Sequence, residues 1–356
     1  MGSCSESHGK GGVNRLSRCI CPVPTWPASP IDMTKTTVDH GPGEHWERFS
    51  RNYYLNVPPI RPSLEDLAYC WGIANEWIQK RGVPRVLLLG VTPGLYHLPW
   101  PKRTDLLAVD HTQAMIDAMW PGSKEAVLRA DWVSMDLPKG SRDIVLCDGG
   151  LHLLDYPKGQ HTLIRLLHRI LSEEGLCIFR LFVLPSQRET PDVVIRDLLD
   201  GKISNLSILK LRLFMSMHED AEDGVELGQV YDALIKAAPD LEALAVKIGW
   251  SKEHMLVINN YRGLKSIFHL LTLEQTIDLF CGDPGGFRVQ RVLTPAYEPV
   301  RRCPTVALRR CSLEEAGEEA VCRIQAADRL PGPPALDSAS HEHVRDDPCQ
   351  QGRCRP

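Results

Sequence analysis

Arg85-Val86-Leu87-Leu88-Leu89-Gly90-Val91-Thr92-Pro93-Gly94 is the stretch on which the fold turns. Its apolar run closes on a glycine-bearing turn. Three runs downstream close on aspartates instead: Leu106-Leu107-Ala108-Val109-Asp110, Ala126-Val127-Leu128-Arg129-Ala130-Asp131 and Asp143-Ile144-Val145-Leu146-Cys147-Asp148. Short apolar runs separated by helix-like segments are expected to be parallel strands buried on both faces, which is why they lack alternation. In open α/β sheets ligands bind beyond the carboxyl ends of such strands. Polar ends on successive strands across residues 85–148 therefore outline one binding crevice.

The glycines at 90 and 94 let the backbone turn sharply and let a ligand approach where a side chain would collide. The spacing is G-x-x-x-G, not the G-x-G-x-x-G dinucleotide fingerprint, and Pro93 removes a backbone donor that a pyrophosphate would use. A ligand poor in phosphate fits better. Asp110 stands 20 residues beyond Gly90, where a carboxylate accepts hydrogen bonds from both ribose hydroxyls. That placement suits nicotinamide and adenosyl ligands alike. Asp131 and Asp148 separate the two, because acids after the third and fourth strands lie outside the dinucleotide scheme. They point to adenine and to a positively charged group.

On these residues, about 45–185 plus 286–310 resembles the class I S-adenosylmethionine-dependent methyltransferases. The strings Leu-Leu-Leu-Gly-Val-Thr-Pro-Gly (87–94), Trp-Pro-Gly (120–122), Asp131-Trp132 and Cys147-Asp148-Gly149-Gly150 are similar to a poorly characterised bacterial subfamily. The resemblance implies an α/β fold: a doubly wound, Rossmann-like, seven-stranded and mostly parallel sheet with an antiparallel last strand and a helical insertion. It implies S-adenosylmethionine as cofactor. Gly90, Thr92 and Gly94 would wrap the methionine part, Asp110 would hold the ribose, and Asp131 would meet the adenine amino group. His111 and Met115 join the same cofactor-binding set, Met115 lining one adenine face and Trp132 offering a stacking surface. Two positions depart from the family pattern. Leu88 replaces the acid before the first glycine and Thr92 replaces the middle glycine, so Asp148 or backbone carbonyls must support the cofactor's ammonium.

Ordinary structural roles compete with these. Asp110 precedes the helix-like run Thr112–Trp120 and can act as a cap. Asp131 can be a solvated strand end, Asp148 begins an Asp-Gly-Gly turn, and Trp132 and Met115 suit a core.

At 356 residues and 43% apolar content, the chain can bury one large domain or a domain with a substantial insertion. The net charge of −4 gives no global basic field, which disfavours a nucleic-acid partner. Arg301-Arg302 and Arg309-Arg310 are expected to be solvated strand ends. Arg180 breaks the longest apolar run, Gly175–Leu184, well short of the roughly 18 residues a membrane helix needs. The proline-bearing first 30 residues have no continuous apolar core, so no signal peptide is expected and the location is cytoplasmic. Of the 12 cysteines, Cys70, Cys147 and Cys177 fall in apolar segments. Cys4, Cys19, Cys21, Cys311, Cys322, Cys349 and Cys354 crowd the ends without paired C-x-x-C spacing, so no metal is expected and the thiols are reduced.

Residues 1–40 are rich in Gly, Ser, Pro and Cys and are expected to be disordered, with Met1 or Met33 as the start. The core is expected over 41–185. It opens with an aromatic, basic segment holding Trp46, Phe49, Tyr53 and Tyr54, the two tyrosines placed to meet the substrate or close the cofactor site. A helix over 63–80 follows, its start marked by Ser63 and Asp66 and its apolar face by Leu64, Leu67, Trp71, Ala74 and Ile78. Strands are expected at 85–90, 106–110, 126–130, 143–147 and 175–183. Helical patterns fill 186–280, an insertion or cap that shapes the substrate pocket or forms a homodimer surface. Closing strands at 287–292 and 304–308 complete the core over 281–310, and 311–356 is expected to be a disordered tail.

Methyl transfer from a sulfonium is an in-line displacement in which positioning does most of the work. A hydroxyl acceptor also needs a base, and Asp148 and His152 are the nearest candidates. His152, in Leu-His-Leu-Leu, equally suits a packing role. Asp148 is not followed by Pro-Pro-aromatic, which shifts the acceptor from nucleic-acid bases toward a small molecule or a protein group. The expected function is methyl transfer to an oxygen or nitrogen of a small-molecule substrate. The alternatives are an inactive adenosyl-ligand-binding module and an NAD-linked oxidoreductase.

Overall fold

The computed structural model describes residues 44–282, 285–299 and 301–311. The disorder expected for 1–40 and for the tail beyond Cys311 lies outside the described residues. The apolar runs form one seven-stranded sheet. In chain order its strands are β1 (Arg85–Leu89), β2 (Asp105–Asp110), β3 (Val127–Arg129), β4 (Arg142–Asp148), β5 (Leu171–Arg180), β6 (Phe287–Leu293) and β7 (Thr305–Arg310). They lie side by side as β6-β7-β5-β4-β1-β2-β3. β1 to β5 are mutually parallel where they pair, and β7 runs antiparallel to both β5 and β6. The first five follow the 3-2-1-4-5 order of doubly wound folds, in which the chain reverses direction across the sheet next to β1.

Alternate residues of the central strands face opposite layers. Val86 and Leu88 of β1 pack with Cys70, Ile73 and Ala74 of one helix, together with Ile144, Leu146 and Ile178. Leu87 and Leu89 turn to the other layer, with Val145, Cys147, Leu163, Leu167 and Phe179. Leu88, where the resemblance would call for an acid, is fully buried, so hydrocarbon has taken that position outright. The edge strand β3 is short and largely exposed.

The helices that flank this sheet are α1 (Glu44–Arg51), α2 (Leu64–Arg81), α3 (Pro93–Tyr96), α4 (Gln113–Met119) and α5 (Lys158–Ile170). Helix α2 starts at the expected capping box, in which Ser63 and Asp66 satisfy each other's backbone donors. β5 begins earlier than expected, at Leu171, and its residues 172–175 form an irregularity in the pairing with β4.

The insertion holds α6 (Pro191–Leu199), α7 (Leu206–Met217), α8 (Leu227–Ala237), α9 (Leu241–Ile248) and α10 (Lys252–Leu256), followed by α11 (Leu273–Cys281). It has a core of its own, from Val194 and Leu209 to Val230, Leu244 and Ile258. Three details differ from expectation. Val225–Glu226 is extended and pairs with Ile267–Phe268, residues 257–261 form a 3-10 turn, and α11 belongs to the sheet layer, where Phe280 meets Phe179 at 5.1 Å. The chain enters and leaves the insertion side by side, because Val183–Leu184 pairs with Leu271–Thr272. Glu189, at the entrance, joins Arg212 of α7 to Arg302, just before β7. Arg302 is therefore no solvated strand end, and neither is Arg309, which pairs with Glu174 at 3.0 Å. Cys70, Cys147 and Cys177 are buried thiols, and so is Cys311, which belongs with β7 rather than with the tail. No helix among the described residues is long and apolar enough to cross a membrane.

Candidate functional site

A cavity of about 400 Å³ lies between the carboxyl ends of the strands and the insertion. Gly90, Thr92, Asp110, His111, Met115, Asp131, Trp132, Asp148, His152 and Tyr53 all line it. Ten positions selected from the sequence thus meet around one space.

At its floor Gly90 has φ +92°, a conformation that side-chain-bearing residues rarely adopt. A β-carbon there would stand 3.6 Å from the Trp132 ring and 3.9 Å from Asp110 Oδ2. Asp110 is not the cap of α4, whose N-cap is Thr112. Its Oδ1 accepts the Thr112 backbone N–H at 2.8 Å, which positions the carboxylate and leaves further lone pairs toward the cavity. Burial raises the Asp110 carboxyl above its ordinary range, while hydrogen bonds from Thr112 and Val91 oppose the shift. Asp131 is exposed at the rim, and its Oδ1 accepts from the Val133 N–H at 3.1 Å. Trp132 turns back over the strand ends, its indole N–H donating to the Val109 carbonyl at 2.7 Å. Its ring leaves no room for a β-carbon on Gly150, which would stand 2.7 Å away. Trp132 thus walls the cavity beside Gly90 and Gly150.

Two expected residues face elsewhere. A β-carbon on Gly94 would meet Leu67 of α2 at 3.1 Å, so this glycine serves the packing of α3 on α2, and it is not part of the cavity lining. Tyr54 is 54% exposed and lies outside the lining too. Consecutive residues in a helical turn cannot share one face, and Tyr53 takes the buried side. Arg61 lies over both rings, at 4.8 and 5.3 Å.

Asp148 is held in a buried ion pair with Arg180. Arg180 also donates to the Pro59 carbonyl at 2.8 Å and lies over the Phe182 ring at 5.0 Å. Burial lifts the Asp148 carboxyl, the adjacent guanidinium pulls it back, and the Thr92 side chain hydrogen-bonds the same carboxylate. Arg180 in turn is driven further toward its charged form by Asp148. The net shift is upward, but the carboxylate's oxygens are committed to Arg180 and Thr92. His152 is 7% exposed and packs against Phe182 and Phe268, with ring centroids 5.2 and 4.9 Å away. Burial, with Arg180 and His269 nearby, pushes it down to about 3. It is a neutral packing ring at ordinary pH.

The roof of the cavity was not legible in the motifs. It includes His45 and Phe49 of α1, Phe182 after β5, Lys210 and Phe214 of α7, and Phe268. Lys210 Nζ donates to Asn56 Oδ1 at 2.7 Å and lies 5.2 Å from the Tyr261 ring. One signal did exist: Lys210 interrupts the apolar face of Leu206-Ser-Ile-Leu-Lys-Leu-Arg-Leu-Phe-Met-Ser-Met217, just as Arg180 interrupts the run before it. A charge on the buried face of a helix needs a partner or a cavity.

Residues 87–179 match a family model described as a methyltransferase domain. This span runs from β1 into β5 and carries Gly90, Asp110, Asp131 and Asp148. No curated protein matches the chain. Among similar solved structures, one from Rhodobacter sphaeroides, provisionally named a Zn-dependent alcohol dehydrogenase, has a TM-score of 0.50 at 14% identity over 75% of this chain and 98% of that one. A Burkholderia thailandensis 1,6-didemethyltoxoflavin-N1-methyltransferase, with bound 1,6-didemethyltoxoflavin and S-adenosylhomocysteine, has a TM-score of 0.39 at 11% identity over 80% and 99% of the two chains. A SAM-dependent methyltransferase from Methanosarcina mazei has a TM-score of 0.39 at 13% identity over 67% and 97%. At these identities the first likeness concerns fold alone, and the other two carry no argument. The stretch that builds the floor of the cavity is thus similar to a methyltransferase domain, the class to which the sequence motifs also point.

Proposed function

We propose that this protein is a class I S-adenosylmethionine-dependent methyltransferase acting on an oxygen or nitrogen of a small molecule. The observation that carries the reading is the cavity joining strand ends to insertion, whose volume of about 400 Å³ falls within the range of small-molecule sites, roughly 300–1,000 Å³. The strand-end half fits the cofactor. Asp110 offers ribose hydroxyls a carboxylate, Gly90 and Thr92 leave room for the methionine part, and Met115 and Trp132 give apolar faces with Asp131 and His111 at the rim. Asp148, committed to Arg180, acts by fixing the electrostatics beside Thr92 and not as a free base.

When bound, S-adenosylmethionine supplies a methyl carbon on a positively charged sulfur that departs with the C–S electron pair. The chain's own part is to exclude water and align the acceptor. The aromatic roof suits a planar or apolar acceptor, and Tyr53 closes the N-terminal side. A cytoplasmic location, no nucleic-acid partner, and a homodimer through the insertion belong to the same proposal. Titration calorimetry is the test. S-adenosylhomocysteine should bind saturably and NAD should not; the reverse result overturns the reading. Label transfer from the methyl-labelled cofactor into a metabolite extract distinguishes turnover from an inactive binding module.

A further inference from the structure

Lys210 is 2% exposed, yet it lines the cavity. Its amine has one hydrogen-bond acceptor, Asn56 Oδ1, and among the described residues no carboxylate forms an ion pair with it. The titratable groups around it are His45 from α1, His152 from the turn after β4, and Tyr261 from the 3-10 turn. The same burial that pushes the lysine down to about 7 leaves His45, next to it, at about 3. Both imidazoles are thus too weak to hold a proton near neutrality. Asp148 is held by Arg180. A buried amine with an amide partner, no carboxylate and an open side toward an apolar cavity is arranged to gain a negative neighbour from the ligand.

We propose that Lys210 is the proton acceptor for the methyl acceptor, and that the acceptor is a planar aromatic or enolic molecule carrying an acidic hydroxyl. This rests on the methyl-transfer reading above. In the step assigned here the acceptor's O–H bond breaks with its electron pair staying on oxygen. The proton forms a new N–H bond on the neutral Lys210 amine. The resulting ammonium and oxyanion stabilise one another where water is excluded. The proton passes to water once product leaves. The rings of His152, Phe182, Phe214 and Phe268, linked by centroid contacts of 4.9 to 5.6 Å, form the wall against which a flat acceptor packs.

The test uses 4-nitrophenol, whose ionisation is visible by absorbance, with the full chain saturated with S-adenosylhomocysteine. Bound to the unmodified protein, the probe should ionise at least about one pH unit below the free probe, a tenfold shift. In Lys210→Met the bound probe should ionise above the free value. Calorimetry with S-adenosylhomocysteine should give the same affinity in both proteins, which shows that the variant is folded. Equal ionisation midpoints in the two proteins would overturn the proposal. So would the absence of saturable 4-nitrophenol binding while S-adenosylhomocysteine binds. A third contrary result is 4-nitrobenzoate binding that depends on Lys210 while nitrophenol ionisation does not, since that marks a fixed cation for carboxylates. Failure of S-adenosylhomocysteine to bind at all would instead strike the underlying methyltransferase reading.

Discussion

The floor and the roof of the cavity are built by different rules. The floor takes its polar groups from the ends of adjacent strands, residues 89–150, where each side chain is aimed by a β-strand and a short turn. The roof gathers residues far apart in sequence, from α1, α7 and the short extended segment Ile267–Phe268, and most are aromatic. Floor carboxylates sit near backbone donors, as Asp110 does with Thr112. Roof groups sit in hydrocarbon, which drives His45, His152 and Lys210 toward their neutral forms. A charged cofactor suits the floor, and an acceptor that must lose a proton suits the roof.

The Asp148–Arg180 pair joins the two halves, because Arg180 also holds the Pro59 carbonyl of the N-terminal segment. Arg180→Met leaves an unpaired buried carboxylate and should cost about 3–5 kcal/mol in urea unfolding. Combining it with Asp148→Leu should recover most of that loss. A neutral single substitution would mean the halves are held together by packing alone.

Asp110→Ala should weaken S-adenosylhomocysteine by about 100-fold, roughly 3 kcal/mol, with stability changed by about 1 kcal/mol through the lost Thr112 contact. Unchanged affinity in calorimetry would reduce Asp110 to a helix-start residue and dissolve the distinction between floor and roof.

Acid separates the halves by sign. His152 has a folded value of about 3 against an ordinary 6.5. Between these the unfolded chain binds a proton that the folded chain does not, so its contribution to stability falls as pH drops from 6.5 toward 3. Asp110 is shifted upward, so just above its ordinary range the folded chain binds the extra proton and acidification favours folding. His152→Phe should therefore flatten the acid loss by about 1–3 kcal/mol, and Asp110→Asn should steepen it. Melting midpoints across this pH range check both, and matching signs would refute the contrast.

The smallest effect concerns a residue that the sequence assigned to the floor. Gly94→Ala should cost about 1 kcal/mol or less as Leu67 gives way, with S-adenosylhomocysteine affinity unchanged in calorimetry. A large affinity loss would return Gly94 to the site.

The floor was legible because a strand end is a local event: an apolar run, then an acid or a glycine. Gly90, Asp110 and Asp148 could be placed from that pattern, together with the sheet and nearly all the helices. Gly94 and Tyr54 were misplaced because motif spacing says that the chain turns but not which neighbour occupies the vacated space. Leu67 took one position, and solvent took the other. Residues 225–226 and 267–268 pair through hydrogen bonds across the insertion, a contact that neither segment announces alone. Lys210 and Arg180 carried a signal as charges inside apolar runs, but their partners, Asn56 and Asp148, lie 154 and 32 residues away. Only the fold brings those pairs together.

Calorimetry of S-adenosylhomocysteine against the unmodified chain, Asp110→Ala and Lys210→Met tests the division of the cavity most directly. The account predicts saturable binding, its loss in the first variant and its retention in the second. Binding that survives Asp110→Ala, or fails in Lys210→Met with the fold intact, would contradict it.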